Sequence, residues 1–485
     1  NHTFSFTILH TVPSNSQTSI NRRVCIIGGG LAGIACATAL AEHGFEVSLY
    51  EARKHLGGRA GSYQDQGSNE IIDNCQHVSM GCCTNLQKLC RQLGIADSFE
   101  TQKQLHFISP DNQITSFGES WLPAPFHLSL AFWRLPYLSF QDKKLFASGV
   151  KALAKAPYSE LRGEKFSDWL HERHQSPELI NRIWEVVLVS SLSESLERID
   201  AAYAKKVFFD GFLANRKGWR VEIPDVSLDD LYSQRTLSAL QEMQVNVLPN
   251  RRLRRLEIAG NKVIQAADSN DNYVEADEYV LAVPHHQVTQ MLPTERRDHP
   301  LFAAIDKIET APISSVHLWL DRRITDLKHA VFVEKFSQWI FSRGSSKNKE
   351  NKQTHRYQIV ISASRNLSNM NHDEIVETVM NELKEVWASA REANVLHFRV
   401  ITEKRAVFSV TPGIDELRAS QATHIPNLHL AGDWTSTNWP ATMEGAVRSG
   451  YLAAENILRK YDIKNPVLAP DLKQSVLSRL IFGKR

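Results

Sequence analysis

The stretch "VCIIGGGLAG", Val24 to Gly33, decides the fold. Val24-Cys25-Ile26-Ile27 is an unbroken apolar run, the pattern of a parallel strand buried on both faces. Three glycines follow at the spacing Gly28-x-Gly30-x-x-Gly33, and small residues from Leu31 to His43 predict a helix that Gly44 stops. A second strand, Phe45 to Tyr50, ends on Glu51. Strand, glycine turn, helix, strand and acid in this order make the βαβ unit of a dinucleotide-binding domain. In that unit Gly28 permits the tight turn, Gly30 admits a pyrophosphate at the helix start beside Leu31 and Ala32, and Gly33 lets helix and strand pack closely. Glu51, with Ala52 and Arg53 beside it, is placed to accept from ribose hydroxyls and disfavours a 2′-phosphate. The unit by itself leaves FAD and NAD both open.

Outward from this core, "EARKHLGGRAGS" (Glu51 to Ser62) adds a second glycine turn, Gly57-Gly58, with Arg59 as a cation to meet the pyrophosphate. Far along the chain, "LAGDWTSTNWPATMEGAVRSG" (Leu430 to Gly450) ends an apolar strand on Gly432-Asp433 and then starts a helix at Thr442-Met443-Glu444. An Asp at a strand end accepts hydrogen bonds, and a helix N-terminus offers free N–H groups and a positive dipole end. A Gly-Asp pair is also common at plain turns. Together these segments resemble flavoproteins of the amine oxidase and phytoene desaturase superfamily. The resemblance implies FAD, with Asp433 on the ribityl and pyrophosphate region and the Met443 and Glu444 backbone N–H groups at the pyrimidine edge of the flavin.

Because both ends of the chain serve one cofactor, its domain must be discontinuous. The stretch from Gln244 to Pro284 alternates apolar and polar residues through short strands and ends in an apolar strand at Ala282-Val283-Pro284. In the superfamily such a meander returns to the dinucleotide sheet, which would lay the backbone at Leu253 against the adenine. The expected fold is α/β: a Rossmann-type FAD-binding domain in pieces 22–100, 216–290 and 406–460, with a second, mixed α+β substrate domain. That second domain is expected as a largely helical region, 101–215, and a sheet region, 291–405, including a helix from Asp373 to Ala390. The polar run Gly344 to His355 reads as an exposed loop. Residues 1–21 read as a disordered leader and 461–485 as an amphipathic tail.

Two further stretches narrow the resemblance: "IIDNCQHVSMGCC" (Ile71 to Cys83) and "FSQWIFSRG" (Phe336 to Gly344). With the flavin motifs they are similar to the hydroxysqualene dehydroxylase family, squalene-associated FAD enzymes, over about Arg22 to Leu458. Cys75 stands where that family is expected to carry Gly. Thr442 stands where amine oxidases of the superfamily place an aromatic cage residue, so an amine substrate is disfavoured. The resemblance implies reductive removal of an allylic hydroxyl from a C30 isoprenoid to give squalene, with hydride from reduced FAD. Such a site needs an apolar tunnel, a proton donor and aromatic faces that tolerate a cation. His77 and Asp73 are the candidates for acid or hydrogen-bond duty, His77 reading equally well as an ordinary satisfied histidine. Trp339, Trp434, Trp439 and Thr442 are candidate cavity walls. The alternatives are a desaturase of a carotenoid or squalene-like polyene and a non-catalytic FAD- and lipid-binding subunit.

Composition sets the outer limits. With 56 Lys+Arg against 54 Asp+Glu over 485 residues, the chain lacks the basic surface of a nucleic-acid binder. Its one basic cluster, Arg251 to Arg255, reads as a solvated strand face. Six cysteines, all before residue 91, lack metal-ligand spacing and read as reduced packing residues of a cytoplasmic protein, with no metal expected. A water-insoluble substrate implies peripheral contact with the inner face of a membrane. The aromatic, proline-rich stretch Trp121 to Phe140 and the tail Asp471 to Arg485 are the candidates; on the tail Leu472, Val476, Leu480 and Ile481 share one helical face. Oligomeric state is not legible.

Overall fold

The computed structural model describes residues 22–347 and 353–484. The expected leader and the tip of the polar run at 344–355 fall outside these residues in whole or in part. The βαβ unit forms as β1 (Arg23–Ile27), α1 (Leu31–Glu42) and β2 (Glu46–Tyr50). Three strands from further along complete an all-parallel sheet: β3 (Asn246–Leu248), β4 (Glu278–Leu281) and β5 (Leu428–Leu430). The spatial order is β3-β2-β1-β4-β5. Both faces are covered, as a parallel sheet requires. One face carries α1 and the long helix α2 (Met443–Lys460), which cross at Gly450, whose α-carbon rests on the Ala32 carbonyl. The other face carries the three-stranded meander Leu253–Ala259, Lys262–Asp268 and Tyr273–Val274: Tyr279 Oη lies 3.2 Å from both the Ile264 and Val274 carbonyls, and Leu253, Leu256, Val263 and Ala266 share a buried cluster with Cys25, Ile27, Tyr279 and Leu281.

A seven-stranded sheet makes the second layer, running 395–408, 310–320, 353–362, 339–347, 329–332, 104–108, 114–118 in space. It is antiparallel except where His329–Phe332 lies parallel to Gln104–Ile108, and the helix His372–Val386 packs on it. A capping box at Asn371 and Glu374 starts that helix, and it ends four residues before the expected Ala390, with Ala388–Arg391 forming a separate turn.

Two expectations are corrected here. The region 101–215 is not helical from its start: Phe99–Gln102, Gln104–Ile108 and Ile114–Gly118 are strands, and helices begin only at Ser129. Their short alternating runs carry too few residues to separate strand from helix by period alone. Within the polar run at 344–355, the residues up to Lys347 and from Gln353 are strand and pair with one another, and Thr354 is buried; residues 348–352 lie outside the described residues. All six cysteines are free thiols, and burial pushes Cys25 and Cys36 far up from the usual thiol range. Cys75 has no left-handed backbone, so its side chain costs no strain where glycine was expected.

Candidate active site

The dinucleotide turn works because two glycines occupy positions that no other residue fits. Gly28 has φ +115°, and a Cβ on Gly33 would lie 1.9 Å from the Gly28 carbonyl oxygen. Around Gly30 the space is open, the nearest atom to an added Cβ being the Gly58 α-carbon at 4.0 Å. No side chain caps α1 at its N-cap Gly30, so the first N–H groups of the helix are left to a ligand. The second glycine turn packs on the first: Gly57 N donates to Gly29 O at 2.9 Å. Glu51 is buried; one carboxylate oxygen accepts from Gly29 N and the other from Arg53 N, both at 2.8 Å. Each oxygen keeps a lone pair for a ribose hydroxyl. Asn250 N and Arg251 N tie the third segment to the Arg53 and Glu51 carbonyls at 3.0 and 2.9 Å, which brings Arg251 to Arg254 onto the cavity wall with Leu253 buried among them. Arg251, Arg252 and Arg254 border the cavity while remaining exposed, as expected of the cluster, and Arg255 is partly buried and paired with Asp271.

Arg59 and Asp433, read as separate cofactor contacts, are one ion pair. Burial works against the guanidinium charge, but Asp433 outweighs it and raises the Arg59 pKa. Arg59 Nη1 also donates to Ala406 O at 2.7 Å, so one side chain joins the first and last pieces of the cofactor domain. At the start of α2, Thr442 accepts from Gly445 N at 3.0 Å, leaving the first-turn N–H groups of Met443 and Glu444 toward the cavity. The Glu444 side chain turns the other way. Its carboxylate accepts from Leu86 N (2.7 Å), Asn85 Nδ2 (2.9 Å), Asn85 N (3.2 Å) and Arg448 (3.3 Å), clasping α2 to the helix Thr84–Gln92. Burial raises its pKa, and these donors only partly offset that.

These groups line one end of a cavity of about 1470 Å³. A drug-sized pocket holds about 300–1,000 Å³, so the volume exceeds one ordinary ligand. The cavity continues into an apolar chamber walled by Phe107, Phe117, Leu128, Phe146, Phe208 and Phe212. Wide π-turns at Ile180–Trp184 and Val207–Leu213 contribute to this wall. Such turns break the regular helical hydrogen-bond ladder and recur at functional sites.

Asp73 and His77 fare unevenly. Asp73 is 3 % exposed and off the cavity wall. Its oxygens accept from Ser62 Oγ (2.6 Å), Leu228 N (2.9 Å) and Arg343 Nη2 (2.8 Å), so its hydrogen bonds are spent within the fold and the place at the cavity expected of it is corrected. His77 does line the cavity. Its Nδ1 lies 3.0 Å from the Cys75 carbonyl, which can only accept, so Nδ1 carries the hydrogen and Nε2 holds a lone pair. Burial lowers its pKa. His77 thus offers an acceptor nitrogen at the cavity, the hydrogen-bond duty of the two expected of it.

Of the three tryptophans, Trp339 belongs to the apolar chamber: it stacks on Phe341 at 5.5 Å and donates to Ser190 Oγ at 3.2 Å. Trp434 is core at the cofactor end, 1 % exposed, with Nε1 donating to Val283 O at 3.0 Å. Trp439 is held between Lys206 and Arg448, whose cations sit 4.6 and 5.4 Å from its ring centroid. Sequence reading missed Gln76, Arg343 and the residues Ile481 and Phe482 of the last helix, which also reach the cavity or its supports. Gln76 and Arg343 sat inside the two narrowing motifs and could have been found there.

Comparison with known proteins agrees with this geometry. The 15-cis-phytoene desaturase of Synechococcus elongatus is 26% identical over 463 residues, 91% of this chain and 96% of that protein. The enzyme of the same name from Narcissus pseudonarcissus is 26% identical over 91% of this chain and 80% of its own length. Cyclohexylamine oxidase from Brevibacterium oxydans shares the fold, with a TM-score of 0.67 at 17% identity over 91% of this chain and 100% of that one. The family described as flavin containing amine oxidoreductase matches residues 31–458. The open glycine cradle, the uncapped helix start and the Glu51 carboxylate fit FAD, and the chain belongs to the flavin containing amine oxidoreductase family as an FAD-dependent oxidoreductase.

Proposed function

We propose that this oxidoreductase acts on a linear C30 isoprenoid and reduces hydroxysqualene to squalene. The observation that carries the reading is the continuity of the cavity from the Gly30, Arg59 and Asp433 end into a long aromatic chamber. A flexible hydrocarbon chain fits such a chamber, and aromatic faces tolerate an allylic cation. FAD, when bound, supplies two-electron hydride chemistry. In the net reaction the allylic carbon–oxygen bond breaks, a hydride and a proton are taken up, and water leaves. The chain's part is to enclose the polyene, keep bulk water from the cation and hold the hydroxyl.

Desaturation of a longer polyene is the second reading, favoured by the likeness to 15-cis-phytoene desaturases. Anaerobic incubation of chemically reduced enzyme with hydroxysqualene separates the two. The expected product is squalene; no squalene here, with oxidation of phytoene by the oxidised enzyme, would establish the second reading instead.

We further propose that the protein draws its substrate from a lipid surface. Phe126, Phe132 and Trp133 reach the cavity wall, and beside them Trp121 is 79 % exposed and Phe140 67 % exposed. The tail helix Val476–Phe482 adds exposed Val476 and Leu480, while its Ile481 and Phe482 turn to the cavity and Leu472 packs on the cofactor domain. No helix among the described residues is long and apolar enough to cross a membrane. Phe132→Glu with Trp133→Glu is expected to lower liposome co-sedimentation with FAD content unchanged; undiminished sedimentation would place the docking surface elsewhere.

A further inference from the structure

The two narrowing motifs of the sequence meet at one side chain. Arg343 Nη1 donates to Gln76 Oε1 and Nη2 to Asp73 Oδ2, both at 2.8 Å. Arg343 is brought there by an irregularity in its strand: pairing with the neighbouring strand shifts register between Ser342 and Ser345, with Gly344 at φ +79°. Such a bulge re-aims a side chain out of the regular pleat. A second bond holds the bulge, since Arg356 Nη2 donates to the Arg343 carbonyl at 3.1 Å.

This contact settles which way the Gln76 amide points. A guanidinium has donors and no acceptor, so the amide oxygen must face Arg343 and the NH₂ must face away. Gln76 is 8 % exposed and lines the cavity, and its Nε2 has no hydrogen-bond partner among the described residues. Of the unpartnered donors on the cavity wall, which include Tyr137 Oη and Trp439 Nε1, it is the one oriented by a charge-assisted hydrogen bond. A buried donor in a largely apolar chamber is costly until a ligand brings it an acceptor. A hydrocarbon brings none.

We infer that Gln76 recognises the oxygen of an allylic alcohol: its Nε2–H donates to the substrate hydroxyl, and Arg343 is the positioning residue that aims it. His77 adds an acceptor, Nε2, on the same stretch of wall, which can take the hydroxyl's own hydrogen. The inference rests on the reading of the substrate as hydroxysqualene and deepens it. It makes Gln76 the residue that separates alcohol from hydrocarbon, because a site built to bond a hydroxyl discriminates strongly against the analogue lacking it.

The test is titration of the FAD-loaded full chain with hydroxysqualene and with squalene in detergent, followed by the visible flavin spectrum, for wild type, Gln76→Met, Gln76→Glu and Arg343→Lys. Gln76→Met keeps the side-chain volume, and Gln76→Glu keeps the Arg343 pair while replacing the donor by an acceptor. Wild type is expected to prefer the alcohol. Both Gln76 variants should lose about five- to tenfold in affinity for hydroxysqualene, the worth of one such bond, with squalene binding unchanged. Arg343→Lys should raise KM for hydroxysqualene more than it lowers kcat, again without effect on squalene, which a general loss of structure would not do. If the Gln76 variants keep the wild-type preference, the assignment is wrong; a changed flavin spectrum at unchanged preference would give the amide to the cofactor instead. If wild type itself shows no preference for the alcohol, the hydroxysqualene reading fails and Gln76 with it.

Discussion

At the cofactor end of the cavity the wall is made of backbone and of charges already paired with one another. At the apolar end it is made of side chains from segments far apart in the chain. Gly28 to Gly33, the Gly57-Gly58 turn and the start of α2 present N–H groups, and Glu51, Arg59, Asp433 and Glu444 each have partners within hydrogen-bond reach. The chamber beyond draws on strands at 104–118, helices at 129–213 and the last helix, and its wall holds polar atoms without partners among the described residues, such as Tyr137 Oη. The difference teaches that a cofactor common to many proteins can be held by geometry written in short motifs, whereas the substrate's surroundings depend on how distant segments pack.

Substitutions can break this comparison, and the largest effect belongs to the backbone side. Gly33→Val places a branched side chain against the Gly28 carbonyl, which already excludes a Cβ. We expect no soluble flavin-bearing protein, read from the ratio of flavin to protein absorbance after expression. Asp433→Ala comes next. It leaves the Arg59 guanidinium without its charged partner, and a charge-assisted hydrogen bond is worth about 1.5–3 kcal/mol. Lower FAD retention and a lower melting temperature should follow.

The segment that supplies Phe126 and Leu128 to the apolar end, with His127 buried between them in sequence, is tested by pH. Burial pushes His127 from 6.5 down to about 4. A histidine depressed in the fold contributes stability that is present above pH 6.5 and lost as pH falls toward 4, because the unfolded chain takes up the proton first. At pH 5 the loss is about 2 kcal/mol, from roughly 1.5 units of separation. His127→Leu should flatten the fall in denaturation midpoint between pH 7 and pH 5; an unchanged slope would show that the ring does not titrate in this way. The smallest effect is at Trp121, 79 % exposed. Trp121→Ser should leave stability within about 0.5 kcal/mol while reducing liposome binding, which separates a docking role from a packing role.

Legibility in the sequence followed the same division. The glycine spacing, Glu51 and the late Gly432-Asp433 pair were readable because each imposes a local backbone demand that few other residues meet. The returning strand, expected at Ala282-Val283-Pro284 and lying just before, at Glu278–Leu281, was readable as an apolar run. The roles of Asp73 and His77 were not. Both are polar residues beside a glycine loop, and only the Arg343 bulge, Leu228 N and the Cys75 carbonyl, which the fold brings to them, show that Asp73 bonds within the fold while His77 turns an acceptor nitrogen to other partners. The early strands of the 101–215 region were hidden for a related reason: Phe99–Gln102 pairs with Val221–Pro224, and the local hairpin Gln104–Gly118 joins its large sheet only through Val331 and Phe332, far along the chain.

The strand order of the parallel sheet also governs assembly. β1 lies between β2, its sequence neighbour, and β4, and β4 in turn needs β5 on its far side. During synthesis the first βαβ unit emerges early, yet one face of it stays bare until α2, near the end of the chain, packs across α1 at Gly450. A sheet closed by such long-range pairings forms slowly and exposes apolar surface meanwhile. Arg59 must wait for Asp433 as well. FAD, touching pieces from both ends, would therefore act in folding as a late clasp, and flavin supply during expression should govern the yield of soluble protein more than temperature does.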